Sequence, residues 1–224
     1  MIDYLFGDVF RNPGGLFEAF GRYNESIWPV PLFAYILGII IIFLGIKRIK
    51  PADNIILFLL ALVWLWAGII CLLVHLAADY PVFYVLGALI TIQGILLLVY
   101  ALKPAGQLFH FEFKADFHGF LGGLYFFFAL ILYPLIGNWA GNPYPNHPVF
   151  GTAPCPTCIF TFGVFLWARK KVPAWLLIIP LIEAALGVLP VYLGLYADIA
   201  LVIGGIYAFY LILRRNKQFE NLNF

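Results

Sequence analysis

The chain has 224 residues, 64% of them hydrophobic, 19% aromatic and only 11% charged, with a mean hydropathy of +0.97. Soluble domains carry about 25% charged residues, so a water-soluble globule is excluded and the lipid bilayer is the first partner to expect. A net charge of +2, from 13 Lys and Arg against 11 Asp and Glu, leaves no basic excess for holding nucleic acid, and 3 cysteines are too few for a disulfide-built scaffold.

Residues 1–26 lack the basic start and long apolar run of a cleavable signal. The stretch from Leu16 to Trp28 sets Phe17, Phe20, Tyr23 and Trp28 at helical spacings and reads as an amphipathic helix on the outer surface. Seven apolar runs follow, at 28–46, 55–76, 82–102, 118–137, 152–168, 175–195 and 198–213. About 20 apolar residues cross about 30 Å of hydrocarbon as a helix; the fifth run, which begins among prolines, and the seventh are short. With the amino terminus outside, the cytoplasmic loops collect Lys47, Arg48, Lys50, Lys103, Lys114, Arg169, Lys170, Lys171, Arg214, Arg215 and Lys217, against Arg11 and Arg22 outside. That asymmetry predicts seven crossings with the carboxyl terminus in the cytoplasm. Six crossings would move Arg214, Arg215 and Lys217 to the acidic outer side. The segment carrying His110, Glu112, Lys114, Asp116 and His118 is expected to be a short solvated approach to the fourth run. The outer loop 137–153, with Pro143, Pro145 and Pro148, is expected to be rigid and to cap the outer mouth.

Two stretches share a pattern. Pro29-Val30-Pro31 leads to Gly38, and Pro154-Cys155-Pro156 leads to Gly163, both as P-x-P-x-x-x-aromatic-x-apolar-Gly. Each run then ends in a basic cluster followed by Pro-Ala (Pro51-Ala52 and Pro173-Ala174), and the next run in each set reaches Ala-Asp (Ala78-Asp79 and Ala197-Asp198). The expected fold is therefore all-α and polytopic: a single membrane domain over 1–224 with seven transmembrane helices, made of two parallel three-helix repeats, 28–102 and 152–213, joined by a central helix at 118–137. This layout resembles the three-plus-one-plus-three arrangement of SWEET-type sugar carriers and, more distantly, seven-helix opsins, although the seventh run has no lysine for a retinal Schiff base. The resemblance implies a ligand site near midplane, between the repeats.

Glu183 falls deep in the sixth run. An ionisable group at that depth normally faces the bundle interior and marks an ion or substrate pathway; a protonated carboxyl bonded to a neighbouring helix is the plain alternative. Aligning the two Ala-Asp ends sets it opposite Trp64, with Gln93 and Thr161 as polar company. Cys155 and Cys158 form C-P-T-C at a helix start, where thiolates are favoured, and Cys71 and His75 lie four apart, on one helix face. With His147 and Asp79 nearby these groups could hold a soft metal ion such as Cu(I), Zn or Hg, the cysteine pair could form a disulfide, or the thiols could simply pack.

The combination R-Y-N-E-S-I-W-P at 22–29, V-W-L-W-A-G at 63–68 and P-C-P-T-C-I-F-T-F-G at 154–163 resembles an uncharacterised family of bacterial multi-pass membrane proteins classed as a domain of unknown function. The resemblance implies location in the bacterial cytoplasmic (inner) membrane. That family's pattern has Thr or Ser after P-C-P-T where this chain has Cys158, which moves interest to Cys155. The leading expectation is a carrier of a small solute or soft metal ion. The alternatives are a membrane thiol-disulfide oxidoreductase, which would lack a second cysteine pair, and a non-catalytic accessory or assembly subunit, either alone as a homo-oligomer or within a larger membrane complex.

Overall fold

The computed structural model describes residues 13–47, 51–104 and 109–221; Arg11, Arg48 and Lys50 of the charge pattern lie outside them. Among the described residues eight helices form: α1 (Pro13–Ser26), α2 (Val30–Lys47), α3 (Ala52–Leu76), α4 (Val82–Ala101), α5 (Phe117–Trp139), α6 (Pro154–Leu166), α7 (Ala174–Tyr192) and α8 (Asp198–Asn221). No strand forms there beyond one isolated bridge, Phe111 with Ala168. Five of the helices, α2, α3, α4, α5 and α7, are long and apolar enough to cross a membrane. α2 shows why: Ala34, Gly38, Ile41 and Leu44 face the protein while Phe33, Ile36, Ile39 and Phe43 on its other side are exposed, and a helix apolar all round needs an apolar surrounding. The chain is an all-α protein whose helices suit a lipid bilayer.

The expected amphipathic helix is α1, and its apolar face is turned onto the protein. Leu16, Ala19, Phe20 and Tyr23 are buried; the Tyr23 hydroxyl donates to the Thr152 carbonyl at 2.7 Å, and the Asn24 amide donates to the carbonyls of Pro145 and His147. α1 is thereby fastened to the loop 137–153.

α6 is the hub. Every residue from 147 to 168 is buried, with α5 packed on one side and α8 and α7 on others. Pro154 and Pro156 sit in the first turn, where the missing N–H groups cost nothing. The helix has 13 residues, about 20 Å at 1.5 Å per residue, well short of the hydrocarbon thickness. The expected span 152–168 is thus helical only over Pro154–Leu166, and what precedes it is a buried loop held by the Thr157 hydroxyl, which accepts from the Gly151 amide and donates to the Ala153 carbonyl. Gly122 of α5 and Gly163 of α6 meet face to face: a Cβ on either would lie 2.9 Å from the other's carbonyl oxygen, so only glycine permits this approach. The two P-x-P segments consequently occupy different stations, α2 at the rim and α6 at the centre.

The segment at 109–116 is solvated only in part: His110 and Lys114 are exposed, as expected. Phe109 and Phe111 are buried and Glu112 is 4% exposed, because the backbone pairs with the end of α6: the Glu112 amide donates to Trp167 and the Arg169 amide to Phe109 and His110. Alternating phenylalanines seat this strip against Tyr100, Phe165 and Trp167.

Candidate functional site

Three helices bring acidic and thiol groups to the amino end of α6. α7 is broken into a short tight turn, Ala174–Leu177, and two helical pieces, Ile178–Leu186 and Val188–Tyr192, and Glu183 points inward from the longer piece with 8% exposure. α8 opens at Asp198, which is 0% exposed. Between them is Cys155, whose Sγ lies 3.8 Å from Glu183 Oε1 and also interacts with Asp198. From α5, Tyr133 donates its hydroxyl to Asp198 Oδ1 at 2.6 Å, while Asp198 Oδ2 is buried without a hydrogen-bond partner. Tyr133 follows directly on a π-helical turn, Phe128–Leu132, a distortion often found at functional sites. Among the described residues no Lys, Arg or His forms an ion pair with either carboxylate.

Glu183 is thus where the sequence suggested, in the interior, but its company differs. Thr161 accepts the Trp64 indole N–H at 2.8 Å and donates to the Thr157 carbonyl, tying α3 to α6. Gln93 donates to the Leu176 carbonyl at 3.1 Å, tying α4 to α7. The polar neighbours of Glu183 are Asp198, Cys155, Cys158 and Cys71. Cys158 donates instead to the Pro180 carbonyl at 3.4 Å, and all three cysteines are free and buried. Cys71 and His75 both lie in the π-helical stretch Trp66–Leu76, with different burial and different partners. Cys71 is fully buried, while half-buried His75 donates from Nδ1 to the Ile70 carbonyl and meets the Ser26 hydroxyl through Nε2.

Tyr23 joins these two regions, interacting with Cys71 and standing edge-on to His75 with 5.0 Å between ring centroids. Burial pushes its hydroxyl well above the ordinary phenol range, so it remains a neutral donor. Burial likewise lowers His147 against the upward pull of its bond to the Asn142 carbonyl. Asp79 pairs on the surface with Arg22 at 2.6 Å. Among the described residues no three His, Cys, Asp or Glu side chains are grouped to hold a metal ion.

A cavity of about 80 Å³ reaches the site between α1, α3, α4 and α7. Its walls are leucines, Val82, Phe20, Phe83, Gly187 and prolines; Glu183 and Cys155 are the side chains in its lining that carry a polar or thiol group. Sequence reasoning used Asp198 only as a landmark of duplication and passed over Tyr133 among many aromatics; an aspartate opening an apolar run with no basic residue near it was the available signal.

The family described as "Family of unknown function (DUF6064)" matches residues 15–222. No curated protein and no solved structure matches the chain.

Proposed function

Since the chain belongs to that family of unknown function, its activity has to be read from its own residues, and we propose that it is a proton-linked carrier of a small solute, with Glu183 and Asp198 as its proton-binding pair. The observation that carries this reading is the meeting of two buried carboxyl groups through the Cys155 thiol, with no Lys, Arg or His paired to them among the described residues. Two like charges in a low-dielectric interior repel and lose hydration together, so the pair holds at least one proton, as paired carboxyls do in other sites. The amino ends of α6 and α8 favour the one negative charge that remains. Tyr133 fixes Asp198 by its hydroxyl, and the Cys155 thiol, in contact with both acids, can pass a proton between them.

Seven crossings, with the amino terminus outside and the carboxyl terminus in the cytoplasm of a bacterial inner membrane, go with this reading. They are supported by the basic loops and by α8, whose apolar first two thirds end at Arg214 and Arg215. In this arrangement α6 and the buried loop before it make one crossing together, and the parallel repeats have diverged, with α6 enclosed. A small solute is favoured over a soft metal because the thiols and carboxyls are not grouped as a ligand set. The paired-thiol oxidoreductase is less favoured, because Cys155 and Cys158 have separate partners.

The test is reconstitution into liposomes loaded with a pH-sensitive dye, followed by an imposed pH gradient. Wild-type protein is expected to conduct protons, and Glu183→Gln and Asp198→Asn to lose most of that flux. Equal flux in all three would remove the carboxyl pair from the mechanism.

A further inference from the structure

The cavity behind Glu183 has three properties that restrict what enters it. Its walls are hydrocarbon apart from one carboxyl and one thiol, so a hydrated ion would lose its water shell without replacement. Its volume, about 80 Å³, exceeds what a single water needs and admits a small organic molecule. Its lining offers one strong acceptor, the Glu183 carboxyl; Asp198, outside the lining, keeps an Oδ2 atom without a hydrogen-bond partner. Around Glu183 the titratable groups are Asp198 from α8, Cys155 and Cys158 from α6, and Cys71 from α3, with Tyr133 of α5 on Asp198. None of these is a cation.

We infer that this cavity binds a short primary amine, of the size of methylamine to n-propylamine, which arrives uncharged and is held as its ammonium form. The inference rests on the carboxyl pair carrying a proton, as proposed above. The amine's lone pair takes the proton from the Glu183 carboxyl; an N–H bond forms as the O–H bond breaks, leaving ammonium against carboxylate. No other reactant is required. An alcohol of the same size fits the walls but cannot accept the proton at the acid, so it lacks the charge-assisted hydrogen bond that distinguishes the amine. A permanently charged ammonium lacks the neutral form that crosses apolar walls.

The measurement is binding of n-propylamine to the full chain in lipid nanodiscs, with propan-1-ol as the size-matched control, followed by the infrared band of protonated carboxyl groups. Wild-type protein should bind the amine, lose that band as it does so, and bind the alcohol far more weakly. Glu183→Gln should weaken amine binding about 10- to 100-fold, the value of a hydrogen bond to a charged group. Leu189→Trp, which fills the cavity from its wall, should weaken it comparably while unfolding at a temperature near that of the wild type. Equal affinity of wild type and Glu183→Gln, undiminished binding to Leu189→Trp, or equal affinity for alcohol and amine would each overturn the inference. Glu183-dependent proton flux measured without amine separates the two claims: flux without amine binding sinks only the ligand, whereas absence of both sinks the carrier reading as well.

Discussion

The two ends of α6 are built from opposite chemistry. At its carboxyl end Arg215, buried, donates to the carbonyls of Leu166 and Phe165 at 2.7 and 2.8 Å, and Asn216 exchanges two hydrogen bonds with the backbone of Val172. Arg169 nearby donates to the Glu112 carbonyl and pairs with Asp116. Carbonyls of the last helical turn are thus met by a cation, as the helix dipole favours. At the amino end stand two carboxyls and two thiols, with an acceptor left over and a cavity beside them. One acid would suffice to complement the dipole; a second, buried close to the first, only adds repulsion. What differs is the opposing charge: the carboxyl end is closed by cations of its own protein, although Arg215 Nε and Arg169 Nη2 keep no hydrogen-bond partner, while the amino end sets two acids beside a cavity.

That contrast breaks most directly at the closed end. Arg215→Met leaves two buried carbonyls without their charged donor, and a hydrogen bond to a charged group contributes about 1.5–3 kcal/mol; a loss of about 3 kcal/mol is expected. Thermal unfolding in detergent, read by labelling of Cys158, would measure it. Arg215→Lys should recover part of the loss, since an ammonium is a point donor and not a fork. A loss below about 0.5 kcal/mol would show that the end is not held by Arg215. At the open end the sign reverses. Glu183→Gln and Asp198→Asn remove a repulsive, poorly solvated pair, and stability should stay the same or rise by about 1 kcal/mol while proton flux falls, the usual cost of a functional site. Destabilisation of Asp198→Asn to the extent of Arg215→Met would make the amino end structural too.

Much of this molecule was legible from hydropathy, and the misses share a cause. Apolar runs located the helices because backbone groups in lipid must pair within a segment, and Glu183 stood out because a lone charge in such a run is expensive. Hydropathy says nothing about which run is covered by the others, so α2 and α6 read alike although one lies at the rim and the other at the centre. Asp79 and Asp198 illustrate the same gap. Both end an Ala-Asp landmark, yet Asp79 is 47% exposed in its ion pair with Arg22 and Asp198 is wholly buried. Arg215 read as one more cytoplasmic anchor, although its side chain turns back into the protein. No residue type announces the π-helical stretch Trp66–Leu76 that carries Cys71 and His75.

The smallest effect belongs to the rim of the closed end. Asp116 caps α5 by accepting from the Gly119 amide at 2.8 Å and pairs with Arg169 at 2.7 Å. Burial raises its carboxyl, and the Gly119 bond and the Arg169 guanidinium outweigh that, leaving it below the ordinary carboxylate range. Asparagine caps a helix about as well as aspartate, so Asp116→Asn removes the charge and keeps the cap. Because the carboxyl is 43% exposed, the ion pair contributes at the low end for such pairs, about 0.5 kcal/mol. A group depressed by folding stabilises above its unfolded value, and that contribution fades as pH falls through the folded one. The difference between wild type and Asp116→Asn should therefore be present at neutral pH and vanish on acidification. A gap that widened in acid would mean that the carboxyl is raised by folding and that Arg169 is held mainly by the Glu112 carbonyl.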